Sequence, residues 1–312
     1  MKAIRIQEFG SPSVMELVEL DPPQPGVGEV LVTVSAASVN PIDYKIREGS
    51  HLLCPSMDLP AGLGFDFSGK VIACGVGVDN LVVGDAVIGM VGFPASACSY
   101  QEQLTVSAEA CVKVTNAKDL PAMAGLPLAG LTAWQAVHTV GQLQSGQRVL
   151  IHAAAGGVGS FAVQLAKALG AHVIVTASEP KHAMLQGLGA DECIDYRAAP
   201  FQEQVEPVDL VIDLVGGQVG VDSLAVVRDG GLLVTVPSAT REHVLAAAEA
   251  AGVKAEFFLM QYDVAALTNM AEQVAKGELQ ILVGGRMPLS QADLAHETIE
   301  AGHTTGKLLL LP

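Results

Sequence analysis

Residues Arg148 to Gly170, RVLIHAAAGGVGSFAVQLAKALG, decide how the rest of the chain is read. Val149-Leu150-Ile151 is an apolar run long enough for one buried strand. The chain then breaks into Ala154-Ala155-Gly156-Gly157-Val158-Gly159. Apolar residues follow at Val158, Ala162, Leu165 and Leu169, the i, i+4, i+7, i+11 spacing of one helix face. Gly170 stands where a left-handed cap would end that helix. Strand, glycine turn and helix together meet the needs of a dinucleotide pyrophosphate: a tight turn, close backbone approach, and unpaired N–H groups at a positive helix end. Against the pattern G-x-G-x-x-G the chain has Ala154 first, then Gly156 and Gly159, which makes residues Ala155, Gly156, Gly157, Val158 and Gly159 the candidate pyrophosphate contacts. A glycine turn of another α/β protein is the plainer reading. It leaves unexplained why the next segment also reads as the next strand of such a sheet.

Of the 312 residues, half are hydrophobic and 16% are charged. That is enough apolar material for a large core and fits two domains better than one. With 17 basic and 33 acidic residues the formal net charge is −16, which gives no electrostatic case for binding nucleic acid or an anionic membrane. The first residues, Met1-Lys2-Ala3-Ile4-Arg5-Ile6, alternate like a strand and lack the apolar core of a signal peptide. No stretch approaches the 18 apolar residues or so of a membrane span. Cys54, Cys74, Cys98, Cys111 and Cys193 are scattered, with no C-x-x-C pair, as expected of free thiols in a reducing compartment. A cytoplasmic protein is expected.

Residues 1–119 read as mostly β, with Glu29–Ser35 alternating and glycines and prolines closely spaced, the pattern of a barrel or sandwich. From 120 to 260 strands and helices alternate. Strands are expected at His172–Thr176, at Cys193 and Ile194, at Asp209–Leu214, at Gly231–Val236 and at Ala255–Met260, with a helix over Pro180–Leu188. Such alternation makes a parallel, doubly wound sheet. Residues 261–312 hold helices near Asp263–Lys276 and Gln291–Ala301 and a final strand, Lys307–Leu311, expected to return to the first domain. The fold class is therefore α/β, with 120–260 as the dinucleotide domain and 1–119 with 261–312 as a mostly-β domain.

Several blocks stand in order along the chain: ASVNPIDYK (37–45), GFDFSG (64–69), LPLAGLTA (126–133), the glycine turn, and GHTTGK (302–307). Together they resemble the medium-chain dehydrogenase/reductase superfamily, in its zinc-independent quinone oxidoreductase and enone reductase branch. The resemblance runs nearly end to end. It implies a Rossmann domain, a split GroES-like catalytic domain and a homodimer. Zinc enzymes of the superfamily carry a Cys in the first block and a His in the second. Here Asn40 and Phe65 stand at those places, and neither an amide nor a phenyl ring is a useful zinc ligand. Without a metal to support an alkoxide, an acceptor that takes hydride directly fits better: a quinone or an α,β-unsaturated carbonyl.

The resemblance puts Asn40 near nicotinamide and substrate, Lys45 near cofactor or substrate, and Thr132 against the nicotinamide carboxamide, with Gly306 and Lys307 on the cofactor side. Asn40 and Lys45 carry donors for an oxygen gaining charge, and Tyr44 is a candidate proton donor. The plainer reading is an Asn-Pro turn with a surface lysine. Val215, Gly216, Pro237 and Ser238 follow the fourth and fifth strands, where dinucleotides lie in parallel sheets. His152, on the first strand, reads as a satisfied core histidine.

The end of the second strand speaks to cofactor choice. NAD-binding domains place an Asp or Glu there for the ribose 2′-OH. Here the strand ends in Ala177-Ser178. Ser178 can donate to a 2′-phosphate and Lys181 can bring a positive charge; the resemblance adds Tyr196. Glu179 is a counter-signal, and Ser178 and Lys181 could instead merely cap and solvate a helix start. The expected cofactor is NADPH. Two other functions remain open on sequence: a dinucleotide-binding sensor or structural protein with little turnover, and a 2-enoyl thioester reductase.

Overall fold

A computed structural model describes residues 1–51, 54, 57–93 and 97–312 of the chain. The loops 49–60 and 92–99, expected to wall the substrate site, therefore fall partly outside the described residues. The chain divides into two compact units, Met1–Ala129 with Tyr262–Pro312, and Gly130–Gln261. Residues 120–129, read from sequence as the opening of the dinucleotide domain, group with the first unit.

The first unit opens with β1 (Lys2–Ile6) and β2 (Met15–Glu19), then a long strand β3 (Glu29–Val39), helix α1 (Pro41–Arg47), β4 (Ala61–Gly62), β5 (Asp66–Cys74), β6 (Ala86–Met90), β7 (Gln103–Ser107), β8 (Cys111–Lys113) and α2 (Leu120–Met123). Strand β1 pairs with β2 and β4 in a small antiparallel sheet. Strand β3 is the spine of the larger one. It pairs antiparallel with β5 along Val30–Ser38 and with β7 along Glu29–Thr33. Alternation in β3 buries Val30, Val32 and Val34 against Phe67, Val71, Val87 and Leu104. Each such aliphatic side chain contributes about 1.5–3 kcal/mol on burial. The turn read at Asn40-Pro41 is helix α1, entered through a proline at its first position, where the missing N–H costs nothing.

The second unit holds most of α3 (Pro127–Trp134) and then β9 (Arg148–Ile151), α4 (Gly157–Ala168), β10 (His172–Thr176), α5 (His182–Gly187), β11 (Glu192–Ile194), β12 (Val208–Asp213), α6 (Gly217–Asp222), β13 (Val227–Thr235), α7 (Arg241–Ala251) and β14 (Lys254–Phe257). Its six strands are all parallel, in the order β11-β10-β9-β12-β13-β14. In chain order that is 3-2-1-4-5-6, the Rossmann arrangement, with its direction reversing beside β9. Val149, Leu150 and Ile151 are fully buried because helices cover both faces. The last strand is Lys254–Phe257 rather than Ala255–Met260. It can extend only as far as its partner β13, which ends at Thr235, paired with Phe257. Helix α5 is shorter than expected because a 3-10 turn, Glu179–Lys181, takes its first residues.

The chain then re-enters the first unit with α8 (Val264–Lys276), β15 (Val283–Pro288), α9 (Ala292–Glu300) and β16 (Lys307–Leu311). Strand β16 lies antiparallel to β3 at Ala37–Val39 and parallel to β15. Strand β15 escaped the sequence reading because Val283-Gly284-Gly285-Arg286 has no apolar alternation. Among the described residues no helix is long and apolar enough to cross a membrane.

Candidate active site

In the second unit the turn after β9 is built as a pyrophosphate needs. Its one left-handed residue is Ala153, φ +48°, so Ala154, fully buried behind it, keeps an ordinary backbone conformation and needs no glycine. Gly159 is required for space. A Cβ there would lie 2.5 Å from the Ala153 carbonyl oxygen and 2.6 Å from Ala154 Cα. Gly156, the residue before α4, faces openly: a Cβ would meet only the Ala153 oxygen, at 3.3 Å. The first N–H groups of α4 have no acceptor within the helix and stand at its positive end. Gly157, Val158 and the neighbouring Ala155 complete a cradle that fits a dinucleotide pyrophosphate. His152, just before the turn, is 1% exposed. Its Nδ1 and Nε2 each lie 2.9 Å from a hydroxyl, of Thr176 and Ser223 respectively. Ser223 donates to the Val219 carbonyl, so Nε2–H donates to Ser223 and Nδ1 accepts from Thr176. Burial pushes this imidazole down to about 4, and it stays neutral.

The neighbouring strand ends form a second feature. Thr176 and Ile194 are paired across β10 and β11, and Ala177 N–H donates to the Ile194 carbonyl. Ser178 and Tyr196 therefore leave adjacent strands at the same level. Ser178 precedes the Glu179–Lys181 turn without capping it through its side chain. Glu179 is exposed, and Tyr196 is half exposed, with the Arg197 guanidinium 5.6 Å from its ring centroid. Arg197 is a cation the motif reading passed over, although it directly follows Tyr196.

The ends of β12 and β13 depend on Asp213, which the sequence reading did not single out. Its Oδ1 accepts from Val215 N–H at 2.9 Å and Gly216 N–H at 2.7 Å, and its Oδ2 from the Thr235 hydroxyl at 2.9 Å. Gly216, φ +76°, packs so closely on Pro237 and Thr240 that a side chain would collide. Val215 is thereby left exposed, with Pro237 and Ser238 on the adjoining strand end. Thr132 is buried in α3.

In the first unit the remaining blocks meet in a buried polar cluster. Asn40, at the junction of β3 and α1, is 1% exposed. Its Nδ2 donates to Asp66 Oδ2 at 2.8 Å and to the Ser38 carbonyl at 3.3 Å, and its Oδ1 accepts from the Lys307 ammonium. Lys307 also donates to the Val39 carbonyl at 3.2 Å. Asp66 Oδ1 accepts from Leu128 N–H at 2.9 Å. Asp43 Oδ2 accepts from Asn40 N–H at 2.8 Å and from the Tyr100 hydroxyl at 3.0 Å, and that hydroxyl lies 3.2 Å from His296 Nε2. Burial drives the carboxyls up, Asp43 to about 7 and Asp66 to about 6, and pulls the Lys307 ammonium down against the opposing pull of the two acids. Asn40 was expected to donate to a substrate oxygen; both of its N–H groups are directed at Ser38 and Asp66. Tyr44 and Lys45 lie on α1, each half-buried. Burial, with Glu48 and Glu300, raises the Tyr44 phenol, and burial lowers the Lys45 ammonium. Gly306 is left-handed, φ +65°, and packs against the Leu282 carbonyl. Asp66 and Asp43 lay inside the quoted blocks. The Asn40-x-x-Asp43 spacing of a helix start was a readable signal for the second. Nothing in sequence pairs Asp66 with Lys307.

A pyrophosphate cradle on a Rossmann sheet, in a chain that also carries a split β unit, defines a nicotinamide-dependent oxidoreductase. Residues 26–130 match the alcohol dehydrogenase GroES-like domain family, and residues 188–310 the zinc-binding dehydrogenase family. The chain is 32% identical to a quinone oxidoreductase of Pseudomonas aeruginosa, over all of this chain and 99% of that one. The quinone oxidoreductase structure from Coxiella burnetii superposes with a TM-score of 0.96 at 42% identity, covering 100% of this chain and 99% of the other. The Escherichia coli quinone oxidoreductase complexed with NADPH gives 0.89 at 28% identity, with both chains fully covered. The chain belongs to the quinone oxidoreductase branch of the medium-chain dehydrogenase/reductase superfamily.

Proposed function

We propose that this chain is an NADPH-dependent, zinc-independent reductase that delivers hydride to a quinone or to the β-carbon of an α,β-unsaturated carbonyl. The observation that carries the reading is the strand-end corner at Ser178. No acid stands at the end of β10, the Ser178 side chain is not spent on capping, and Tyr196 leaves the next strand at the same level. Ser178, Lys181 and Tyr196 hold the 2′-phosphate, and Arg197 adds charge beside Tyr196. Ala155, Gly156, Gly157, Val158 and Gly159 take the pyrophosphate, and Val215, Gly216, Pro237 and Ser238 line the dinucleotide beyond it. Thr132, Gly306 and Lys307 serve its nicotinamide end. NADPH, when bound, supplies the hydride.

The chain's own residues then manage charge and proton. Lys45 donates to the acceptor oxygen as it gains negative charge. The proton that the hydride adduct then needs comes from Tyr44, whose phenol is raised and so stays protonated at neutral pH, or from water. Asn40 fixes the entry to α1 and thereby the pair on it. Phe65, at the place where zinc enzymes of the superfamily carry a histidine, supports the metal-free reading. The test is NADPH consumption by the purified chain over a panel of quinones, alkenals and alkenones, with and without a chelator. Turnover on quinones or enones that a chelator leaves intact is expected. Turnover of saturated aldehydes alone, or abolished by chelation, would contradict the reading.

A further inference from the structure

All of the non-Rossmann blocks contribute to a single buried hydrogen-bonded lattice in the first unit: Asn40, with the Ser38 and Val39 carbonyls, from 37–45, Asp66 from 64–69, Leu128 from 126–133 and Lys307 from 302–307. Asp66 is the hub. It is fully buried, and its two oxygens accept from different blocks, Oδ2 from the Asn40 amide and Oδ1 from Leu128 N–H near the start of α3. An ammonium can only donate, and a carboxylate can only accept. The Asn40 amide stands between one of each, so its orientation is dictated: oxygen to Lys307, nitrogen to Asp66. We infer that Asp66 is a positioning residue of the reductase, which with Lys307 fixes the direction of the Asn40 amide and the start of α3.

The consequence reaches the chemistry at one remove. Asn40 enters α1, which carries Tyr44 and Lys45, and α3 carries Thr132. Asp66 acts through the backbone from which each projects, by way of Asn40 at the entry to α1 and Leu128 near the start of α3. The inference rests on the proposed roles of Tyr44, Lys45 and Thr132, and it explains why the Asn40 amide has no N–H left for a substrate oxygen.

Hydrogen-bond direction can be exchanged without changing charge. Asp66→Asn alone turns one N–H donor toward Asn40 or toward Leu128 N–H. Asn40→Asp alone sets two carboxylates face to face. In the double variant Asn40→Asp/Asp66→Asn the carboxylate at position 40 accepts from Lys307 and from the new amide at 66. That amide's oxygen still accepts from Leu128. Only the 3.3 Å bond to the Ser38 carbonyl is lost.

Steady-state kinetics on an accepted quinone or enone, with the urea midpoint at pH 8 beside it, test this. Each single variant is expected to lose about 100-fold in kcat, the cost of misplacing reacting groups by about 1 Å, with KM for NADPH within about threefold because the glycine turn and Ser178 are untouched. The double variant is expected to return to within about tenfold of the unmodified chain in kcat and to recover its midpoint. A double variant with its midpoint restored but kcat no better than the slower single would show that the Asn40 amide acts on substrate directly and would overturn the inference. So would an Asp66→Asn variant with unchanged kcat. If the singles fail to fold, a double variant that folds and turns over supports the inference, and one that does not fold refutes it. An unmodified chain inactive on every acceptor would sink the proposed activity and leave this inference to the midpoints alone.

Discussion

Gly156 and Gly159 lie in the same turn but should fail in different ways. A methyl group at Gly159 would sit 2.5 Å from the Ala153 oxygen, 2.6 Å from Ala154 Cα and 2.8 Å from Ala154 C, all backbone atoms. Ordinary contact lies near 3.5–4.0 Å, so helix α4 and the turn must part by about 1 Å. Overpacking of that kind costs about 1–3 kcal/mol. It also draws the α4 N–H groups away from the pyrophosphate, forfeiting a charge-assisted bond of about 1.5–3 kcal/mol, or about ten- to hundredfold in NADPH affinity. Gly159→Ala should therefore lower both stability and binding. Gly156→Ala meets only one atom, at 3.3 Å, and Gly156 has φ −78°, so its folding cost should stay under about 1 kcal/mol. Its methyl group occupies the approach to the pyrophosphate, so NADPH affinity should still fall about tenfold or more. The chain's single tryptophan, Trp134, belongs to this unit and reports its urea unfolding by fluorescence, while titration with NADPH reads affinity. A Gly159→Ala variant with an unchanged unfolding midpoint, or a Gly156→Ala variant that binds NADPH normally, would refute this account of the turn.

Lys181→Ala should weaken NADPH binding about tenfold and leave NADH binding within about twofold, as losing one charged contact to a 2′-phosphate requires; equal losses with both cofactors would remove Lys181 from the phosphate site. Asp43 supplies a pH test. Its carboxyl is raised from 3.8 to about 7 in the folded state, so folding favours its protonated form; that stabilisation is full below pH 3.8 and lost as pH rises through about 7, with Asp66 adding the same sign up to about 6. The urea midpoint should fall between pH 5 and pH 8, and Asp43→Asn should flatten that fall by an amount on the order of a few kcal/mol; an unchanged pH slope would contradict the assignment. Strand β14 ends the Rossmann sheet with an edge that a second copy can pair, so light scattering at micromolar concentration should give a dimer mass, and a monomer mass would remove that pairing.

The Rossmann half was legible because its signals are local. An apolar run, a glycine turn and a helical stripe follow one another within Arg148–Gly170, and parallel strands buried on both faces announce themselves as Val-, Ile- and Leu-rich runs. Strand β15 was not legible, and helix α1 was passed over despite its Asn40-x-x-Asp43 start. Val283–Pro288 takes its place from pairing with β16 rather than from its own pattern, and Asn40-Pro41 reads as a turn until Asp43 is seen to accept from the Asn40 N–H. The blocks marked Asn40, Lys45 and Lys307, but not how Asn40 is held. Asp66 lies 26 positions from Asn40 and Lys307 lies 267. No local spacing encodes partners at such separations; the pairing of β3 with β5 and β16 brings them together.

The measurement closest to the centre of the account is the ratio of kcat/KM for NADPH to kcat/KM for NADH, taken on one accepted quinone or enone with the unmodified chain. A corner made by Ser178, Lys181 and Tyr196, with no acid at the end of β10, predicts a ratio of about ten or more in favour of NADPH. Equal efficiencies, or a preference for NADH, would contradict it.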